Sequence, residues 1–181
     1  MDRGEVIIAG LGGRGVLIIG QALAKAAMTK YKHVSWLPSY AISKRGGDCN
    51  CTVLFSNDKI ASPLLLQAKV VLILETSQYQ EYGDRVAPGG LLLTESAGLD
   101  GKPDRRDAEV ILIPGMAEAV SMGNSLVANF IMLGAYIEAT KVLSPQLLEA
   151  EIDRIFGAKQ KVLELNKKAF KRGQELVANR K

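Results

Sequence analysis

Residues 10–15, with the sequence GLGGRG, have the types and spacing that a phosphate-binding turn needs. Gly10, Gly12 and Gly15 satisfy the G-x-G-x-x-G pattern of dinucleotide-binding turns. Glycine permits a tight turn and a close approach of the backbone, and the first N–H groups of the following helix would point toward an anion. Arg14 would add a fixed positive charge there. The chemistry indicated is anion binding, and we assign no catalytic side chain to this sequence.

Two elements must position this turn. Residues 6–9 (VIIA) are apolar and partly β-branched, which predicts a buried strand, and an apolar-periodic helix follows from Val16 to about Thr29. A nicotinamide-binding unit would also carry an acidic residue at the end of its second strand, about 20 residues further on. That strand is predicted at residues 34–37 and runs into Pro38 without a carboxylate. The pattern therefore disfavours NAD, and a glycine turn that serves packing alone stays an alternative.

Composition limits the classes of function. The chain has 181 residues, 48% of them hydrophobic and 23% charged, which predicts one soluble globular domain over residues 1–181. The net charge of +4 is concentrated in the last predicted helix, where it indicates a solvated face or docking to an acidic partner rather than nucleic-acid binding. No signal peptide and no membrane-spanning segment are predicted. We expect a cytoplasmic protein.

Metal ligands are scarce in the sequence. Cys49 and Cys51 are the only cysteines and His33 is the only histidine. This set cannot by itself ligate a [4Fe–4S] cluster or a structural zinc ion. We therefore expect a chain from a reducing compartment that binds no metal of its own.

The rest of the chain alternates strands and helices. Apolar runs predict strands at residues 70–75, 91–94 and 109–113, and helices are predicted at about 78–86, 124–139, 144 onward and 159–177. The segment from Cys49 to Ile60 predicts a local antiparallel hairpin. The fold class is α/β: a three-layer, Rossmann-like single domain with a mostly parallel sheet. The helix before Ala139 is apolar nearly all round, so it is either buried centrally or used in an interface, and self-association of the isolated chain stays open.

Several short motifs, in their order and spacing, resemble the gamma subunit of 2-oxoacid:ferredoxin oxidoreductases. The resemblance extends from Val6 to Gly173. Its motifs are Gly12-Gly13-Arg14-Gly15, Pro38-Ser39-Tyr40, Arg45-Gly46-Gly47, Ile60-Ala61-Ser62-Pro63, Gly123-Asn124 with Asn129, Leu133-Gly134 and residues 166–173 (NKKAFKRG). The family usually has Gln where this chain has Arg14 and Gly where it has Ala41.

The resemblance implies a subunit of a complex that oxidatively decarboxylates a 2-oxoacid to an acyl-CoA. Such a complex uses thiamine diphosphate, Mg, Fe–S clusters and CoA, and passes electrons to ferredoxin or flavodoxin. This sequence lacks the G-D-G…N-N thiamine diphosphate motif and a cluster-ligating cysteine set, so those cofactors are expected on alpha, beta and ferredoxin-like delta partner subunits. We expect the isolated chain to be inactive. The compact length is most similar to the 2-oxoglutarate type, although pyruvate and branched-chain types share the domain.

The resemblance also suggests candidate binding residues. The turn formed by residues 12–15 would hold CoA or face the thiamine-binding subunits. Tyr40 and Arg45, in the loop after strand two, would line the site or hold the ligand. The candidate set is Gly12, Gly13, Arg14, Gly15, Ser39, Tyr40, Arg45, Gly46, Gly47 and Asn124. Structural alternatives are a plain turn at residues 45–47, a helix cap at Asn124 and a buried amide at Asn129. The functional alternatives are a stand-alone Rossmann-type nucleotide-binding oxidoreductase and a non-catalytic nucleotide-sensing module.

Overall fold

The computed structural model describes residues 3–40, 46–99 and 105–180. These residues form one sheet with helices around it. The strands are β1 (Arg3–Leu11), β2 (His33–Tyr40), β3 (Asp48–Ser56), β4 (Ala68–Ile73), β5 (Val86–Glu95) and β6 (Glu109–Ile113). Their order across the sheet is β2-β3-β1-β4-β5-β6. The predicted α/β class is confirmed.

β1 lies inside the sheet, between an antiparallel and a parallel neighbour. It pairs antiparallel with β3, where Ile7 is opposite Thr52, and parallel with β4, where Ile7 is opposite Val71. The pairs β4–β5 and β5–β6 are also parallel, so the prediction of a mostly parallel sheet is confirmed.

An antiparallel hairpin is present, but the predicted location of Cys49 to Ile60 is wrong. β3 pairs with the preceding β2, with Trp36 opposite Val53, and residues 57–67 contain no strand. The physical reason lies in the side-chain pattern. β2 places Val34 and Trp36 on the same face toward the main core, whereas the residues after Ser56 contain Pro63, which cannot donate a ladder hydrogen bond.

The helices lie mainly on one face of the sheet. They are α1 (Val16–Ala27), α2 (Tyr79–Tyr82), α3 (Gly115–Ser121), α4 (Ala128–Thr140), α5 (Pro145–Phe156) and α6 (Gln160–Ala178), with short 3₁₀ turns at Thr76–Gln78, Gly83–Arg85 and Ser125–Val127. The sequence analysis predicted α1, α4, α5 and α6, and a helix over residues 78–86 where the structure has the shorter α2 and 3₁₀ turns beside it. It did not predict α3. No helix among the described ranges is both long and apolar enough to cross a membrane.

Alternate residues of β1 point to two different cores. Val6 and Ile8 pack in the larger core with side chains of α1, α4, α5 and α6, whereas Ile7 and Ala9 pack in a smaller core on the opposite face. Tyr82 of α2 covers that smaller core. The domain therefore has three layers, and the layer that contains α2 is thin.

The apolar helix α4 is buried between the sheet and α6. Its residues from Asn129 to Ile137 are all buried, which favours the central position over an exposed interface. Two glycines bring the helices into backbone contact. A Cβ atom on Gly134 would lie 2.0 Å from the carbonyl oxygen of Phe170, and one on Gly173 would lie 1.9 Å from that of Ile131. Only glycine fits at either position of this crossing.

Candidate functional site

The candidate site lies at the edge of the sheet where the parallel strands end. β1 ends at Leu11 and β4 at Ile73, and the sheet continues from these two strands in opposite directions, through β3 and through β5. In open α/β sheets, ligands bind in the crevice outside the carboxyl ends of strands at such a switch point. The glycine turn follows β1 directly, so the structure places it beside this crevice.

The turn has the backbone conformation that its glycines predict. Gly13 has φ of 89° and Gly15 has φ of 77°, both in the region that side-chain-bearing residues avoid. Gly15 is the N-cap of α1, and no side chain caps that helix end. The first N–H groups of α1 therefore have no partner inside the helix. N–H groups at a helix start of this kind can donate to an anion.

Gly46 and Gly47 lie against the glycine turn that follows β1. The backbone N–H of Gly12 donates to the carbonyl oxygen of Gly47 at 2.8 Å. A Cβ on Gly12 would lie 3.4 Å from the backbone nitrogen of Gly46, and Gly46 has φ of 82°. The structure thus brings the two predicted glycine motifs together.

The third glycine of the turn also has a packing role. A Cβ on Gly15 would lie 2.2 Å from Nδ2 of Asn129, which is 5% exposed on α4. The Oδ1 atom of Asn129 accepts a hydrogen bond from the backbone N–H of Phe130 at 2.9 Å. The interpretation of Asn129 as a buried amide is confirmed.

An open cavity of about 360 Å³ lies in front of α1. Gly12, Gly13 and Gly15 line it together with Leu17 and Ile18 of α1 and residues 47–49. Cys49 is the nucleophilic group of this lining, and burial raises the pKa of its thiol. The cavity is therefore lined by the glycine turn, by apolar side chains of α1 and by the acid Asp48, and it offers no reactive thiolate.

Arg14 lies on the other side of the turn from this cavity. Its guanidinium Nη2 is 3.0 Å from Oε2 of Glu75, which lies two residues after the end of β4. The side chain lines a narrow recess together with Leu126 and Met132. The predicted positive charge is therefore present beside the glycine turn, and the carboxylate of Glu75 neutralises it.

The sequence analysis missed one buried acid at this edge. Glu95 ends β5 and is 4% exposed. Its carboxylate accepts hydrogen bonds from the backbone N–H groups of Ser96, Ala97 and Met116 at 2.9, 3.0 and 2.8 Å. Burial raises the pKa of the Glu95 carboxyl, the nearby charge of Glu75 raises it further, and the three N–H donors oppose both effects. An acid that ends an apolar strand, as in residues 91–95 (LLLTE), is the signal that could have found it.

Two side-chain hydrogen bonds attach the thin layer to this end of the sheet. Nε2 of Gln78 donates to Oδ1 of Asp48 at 2.9 Å, and Nδ2 of Asn50 donates to the Tyr82 hydroxyl at 2.7 Å. Burial raises the pKa of Tyr82 to about 12, so its hydroxyl stays protonated at neutral pH. These contacts fix the position of the short helix next to β3.

The remaining predicted residues lie at the same edge or outside the described ranges. Ser39 is exposed at the end of β2, and the backbone of Tyr40 pairs with Cys49, which in turn pairs with Gly10. Arg45 and Ala41 lie outside the described residues. Asn124 caps the turn before α4, because its Oδ1 accepts a hydrogen bond from the Leu126 N–H at 3.0 Å. The predicted cap is confirmed.

A search for metal ligands in the described part of the chain finds no group of three or more His, Cys, Asp or Glu side chains arranged to hold an ion. The acids at the site act in other ways. Glu75 pairs with a cation and Glu95 binds backbone N–H groups. The glycine turn and Arg14 are the groups at this edge that suit an anion, and the binding role of the turn stays a prediction.

Known proteins similar to this chain fall into two length classes. The ketoisovalerate oxidoreductase subunit VorA of Methanothermobacter thermautotrophicus is 32% identical over 174 residues, which are 94% of this chain and 36% of VorA. The chain thus spans about a third of the length of the VorA relatives that it matches. The 2-oxoglutarate synthase subunit KorC of Methanocaldococcus jannaschii is 28% identical, with 97% of this chain and 94% of KorC covered.

A solved structure supports the same relationship. The crystal structure of a keto/oxoacid ferredoxin oxidoreductase gamma subunit from Geobacter sulfurreducens is 26% identical and superimposes with a TM-score of 0.81, covering 98% of this chain and 99% of that one. The family model described as pyruvate ferredoxin/flavodoxin oxidoreductase matches residues 5–176, from the first strand almost to the end of the last helix. The chain therefore belongs to the pyruvate ferredoxin/flavodoxin oxidoreductase family.

Proposed function

We propose that this chain is the gamma subunit of a multi-subunit 2-oxoacid:ferredoxin or flavodoxin oxidoreductase that converts a 2-oxoacid to an acyl-CoA. The observation that carries the proposal is the end-to-end match to proteins that are themselves separate subunits. KorC of M. jannaschii is covered over 94% of its length and the G. sulfurreducens gamma subunit over 99%. A stand-alone nucleotide-binding oxidoreductase would not be expected to match such subunits along the whole chain.

In this proposal the partners are alpha and beta subunits and a ferredoxin-like delta subunit. Thiamine diphosphate, Mg and the Fe–S clusters reside on those chains. CoA binds in the complex that those chains form with this subunit. Residues 1–181 form one domain of a cytoplasmic complex, and the isolated chain is inactive. The substrate class is a 2-oxoacid. We propose 2-oxoglutarate as the first acid to test, because four relatives of this compact length are KorC subunits, and pyruvate as the second, because PorC of Thermotoga maritima has the same compact length.

The contribution of this chain is to hold a phosphate of CoA. The residues that fit this role are the glycines of the turn and the start of α1, which line the open cavity and whose helix-terminal N–H groups suit an anion. CoA supplies the thiol that takes up the acyl group, and this chain binds and orients its phosphorylated part. Arg14 would add a charge-assisted hydrogen bond once it turns from Glu75 toward the phosphate.

The first test is anaerobic purification of the chain from its native host, followed by identification of the chains that accompany it. We expect partner subunits with thiamine diphosphate and Fe–S clusters, and viologen reduction that requires both CoA and one 2-oxoacid. A chain that purifies alone under the same conditions, with no oxidoreductase subunit attached, would contradict the proposal.

The binding role has its own test in the complex. Arg14→Gln should raise the KM for CoA by about tenfold, the factor that corresponds to loss of one charge-assisted hydrogen bond, without changing the KM for the 2-oxoacid. Arg154→Gln is the matched control, because Arg154 also pairs with a glutamate but lies on α5. Equal KM values for CoA in both variants would exclude Arg14 from the site.

A further inference from the structure

A second cavity lies at the edge of the sheet where the parallel strands begin, which we call the amino edge. Its volume is about 650 Å³, and Arg3 of β1, Lys69 of β4 and Glu109 of β6 line it together with Tyr136 and Ala139 of α4. The glycine turn follows the other end of β1. A strand of nine residues is about 25 Å long, so the cavity is well separated from the candidate anion site.

An irregular stretch of β5 forms one wall of this cavity. The register between β4 and β5 shifts after Ala68, where two residue steps along β4 match five along β5. Gly89 has φ of 72°, and its N–H donates to the carbonyl oxygen of Asp107 at 2.6 Å. A Cβ on Gly90 would lie 2.6 Å from the carbonyl oxygen of Lys69. Backbone contacts therefore hold the wall in a fixed shape, as is common for bulges beside functional surfaces.

The lining combines buried apolar residues with exposed charges. Val70, Tyr136 and Val142 are buried and form its apolar part. The exposed charged residues of the lining are Arg3, Lys69, Arg106, Asp107 and Glu109. An apolar centre surrounded by polar groups is the usual composition of a protein–protein interface.

Two exposed leucines add apolar surface at the same edge. Leu64 and Leu66 are 73% and 92% exposed, in the segment between the end of β3 and the start of β4. β3 is antiparallel to β1, so this segment leaves and re-enters the sheet at the amino edge. Leu65 between them packs against the smaller core, and the Ser62 hydroxyl accepts a hydrogen bond from the Leu64 N–H at 3.1 Å. The fold thus fixes this segment while it leaves two large apolar side chains uncovered.

Both ends of the described chain lie at the amino edge. β1 begins at Arg3, and Nη1 of Arg180, after α6, is 3.9 Å from Oε1 of Glu109 at the start of β6. The match to VorA covers 36% of VorA, so about two thirds of that polypeptide continues from one or both ends of the matching domain. The additional part of VorA therefore starts at the edge that carries the cavity and the two leucines.

We propose that the amino edge is the docking surface for the partner subunit that corresponds to the remaining two thirds of VorA. The inference rests on the proposed function and names the surface through which this chain joins the complex. Apolar side chains of the partner fill the cavity and cover Leu64 and Leu66, and its polar side chains meet the charged rim. Docking at this edge leaves the glycine turn, at the opposite edge, uncovered by this partner.

The first test measures assembly of the full chain with the partner subunits that accompany it, with the bound partner identified by mass spectrometry as the homologue of the rest of VorA. Leu66→Asp should raise the Kd at least about tenfold, the factor that corresponds to one leucine buried on association. Because Leu66 is 92% exposed, the isolated variant should keep the Tm of the unmodified chain. Val120→Asp is the matched control. Val120 is 60% exposed on α3, which begins beside the end of β5 at the opposite edge, and its change should leave the Kd unaltered.

The second test asks whether the cavity itself is covered. Lys69 is exposed at its wall in the isolated chain, so acetylation of its amine should slow at least about tenfold in the complex. Lys161, at the start of α6, is the control, because this helix of 19 residues ends at the amino edge and places Lys161 about 25 Å away from it. Its labelling by this partner's binding should be unchanged.

The outcomes separate this inference from the proposed function. An equal Kd for Leu66→Asp and the unmodified chain, or equal labelling of Lys69 in the isolated chain and the complex, would overturn the inference and leave the proposed function standing. Dimers of the isolated chain that Leu66→Asp dissociates, with an unaltered Kd for the partner, would assign this surface to a second copy and also overturn it. A complex that depends on Leu66 but oxidises no 2-oxoacid would contradict only the proposed function, and a chain that binds no such partner would overturn both.

Discussion

The side chain of Asn129 fills the space that a Cβ atom on Gly15 would occupy, at 2.2 Å from Nδ2. Asn129 belongs to α4 and Gly15 caps α1, so this contact joins the turn to the helix that lies deepest in the main core. The third glycine of the G-x-G-x-x-G pattern is therefore required by packing. The pattern alone did not distinguish this role from close approach to a ligand.

Gly15→Ala should lower the free energy of unfolding by about 2–4 kcal/mol, since it combines a left-handed backbone with a steric clash. Gly13→Ala is the matched control, because Gly13 has φ of 89° and a Cβ there would meet nothing within 4 Å. Gly13→Ala should lower the free energy of unfolding by only about 1–2 kcal/mol, the cost of a left-handed backbone at a residue with a side chain. Urea unfolding followed by circular dichroism measures both. Equal losses would mean that the contact with Asn129 relaxes without cost.

The prediction from sequence succeeded where the signal is local. Val6–Ala9 and the glycines after it specify a strand, a turn and a helix within one short segment, and the structure has all three. The partner of β3 could not be found in this way, because pairing depends on which distant strand presents a matching face. Glu95 was missed for a related reason. The apolar strand marked its position, but its burial depends on the start of α3, a helix that the sequence analysis did not predict.

The crossing of α4 and α6 should be intolerant of any side chain at its two glycines. Gly134→Ala or Gly173→Ala places a Cβ about 2 Å from a backbone carbonyl oxygen of the other helix. We expect each change to cost about 3 kcal/mol or more, because the backbones must separate. Lys171→Ala, at an exposed position of α6, is the control and should change stability by less than about 0.5 kcal/mol. Thermal unfolding of the three variants gives the comparison, and a stable Gly173→Ala would contradict the backbone contact.

The ion pair between Glu118 and Arg172 should make stability depend on pH. Both nitrogens of the guanidinium fork lie 2.9 Å from the carboxylate oxygens, and this hydrogen bonding lowers the pKa of Glu118. The stabilisation is complete above the unfolded pKa of about 4.3 and disappears as the pH falls through the lower folded value. Because Arg172 is 37% exposed, Glu118→Gln should cost at most about 1 kcal/mol at pH 7.

Urea unfolding of Glu118→Gln and the unmodified chain between pH 7 and pH 3 tests this dependence. The two stabilities should converge at the acidic end. Glu149→Gln, at an exposed position of α5, should show no such convergence. A difference that grows toward low pH would contradict the lowered pKa.

Cys51 should be inert toward thiol reagents in the folded protein. It is 0% exposed, and burial raises its pKa to about 12, with a smaller opposing effect of the Trp36 indole. At pH 8 roughly one Cys51 thiol in ten thousand would be ionised. Iodoacetamide labelling followed by mass spectrometry should modify Cys51 only in urea, and Cys49, at the cavity in front of α1, should react sooner. Labelling of native Cys51 at the rate of a free thiol would contradict this environment.

The central position of β1 also sets an order of folding. β2 and β3 are joined by one connection and can pair as soon as both exist, whereas β1 must pair with β3 on one side and with the still later β4 on the other, as in the Ile7–Val71 register. Contacts between distant parts of a chain form slowly, because the intervening loop must first be closed. During synthesis β1 therefore has two unpaired edges until β3 emerges, and one unpaired edge until β4 has emerged up to residue 73. An apolar strand with an open edge is prone to pair with other chains, so this interval is the one in which the chain is most exposed to aggregation.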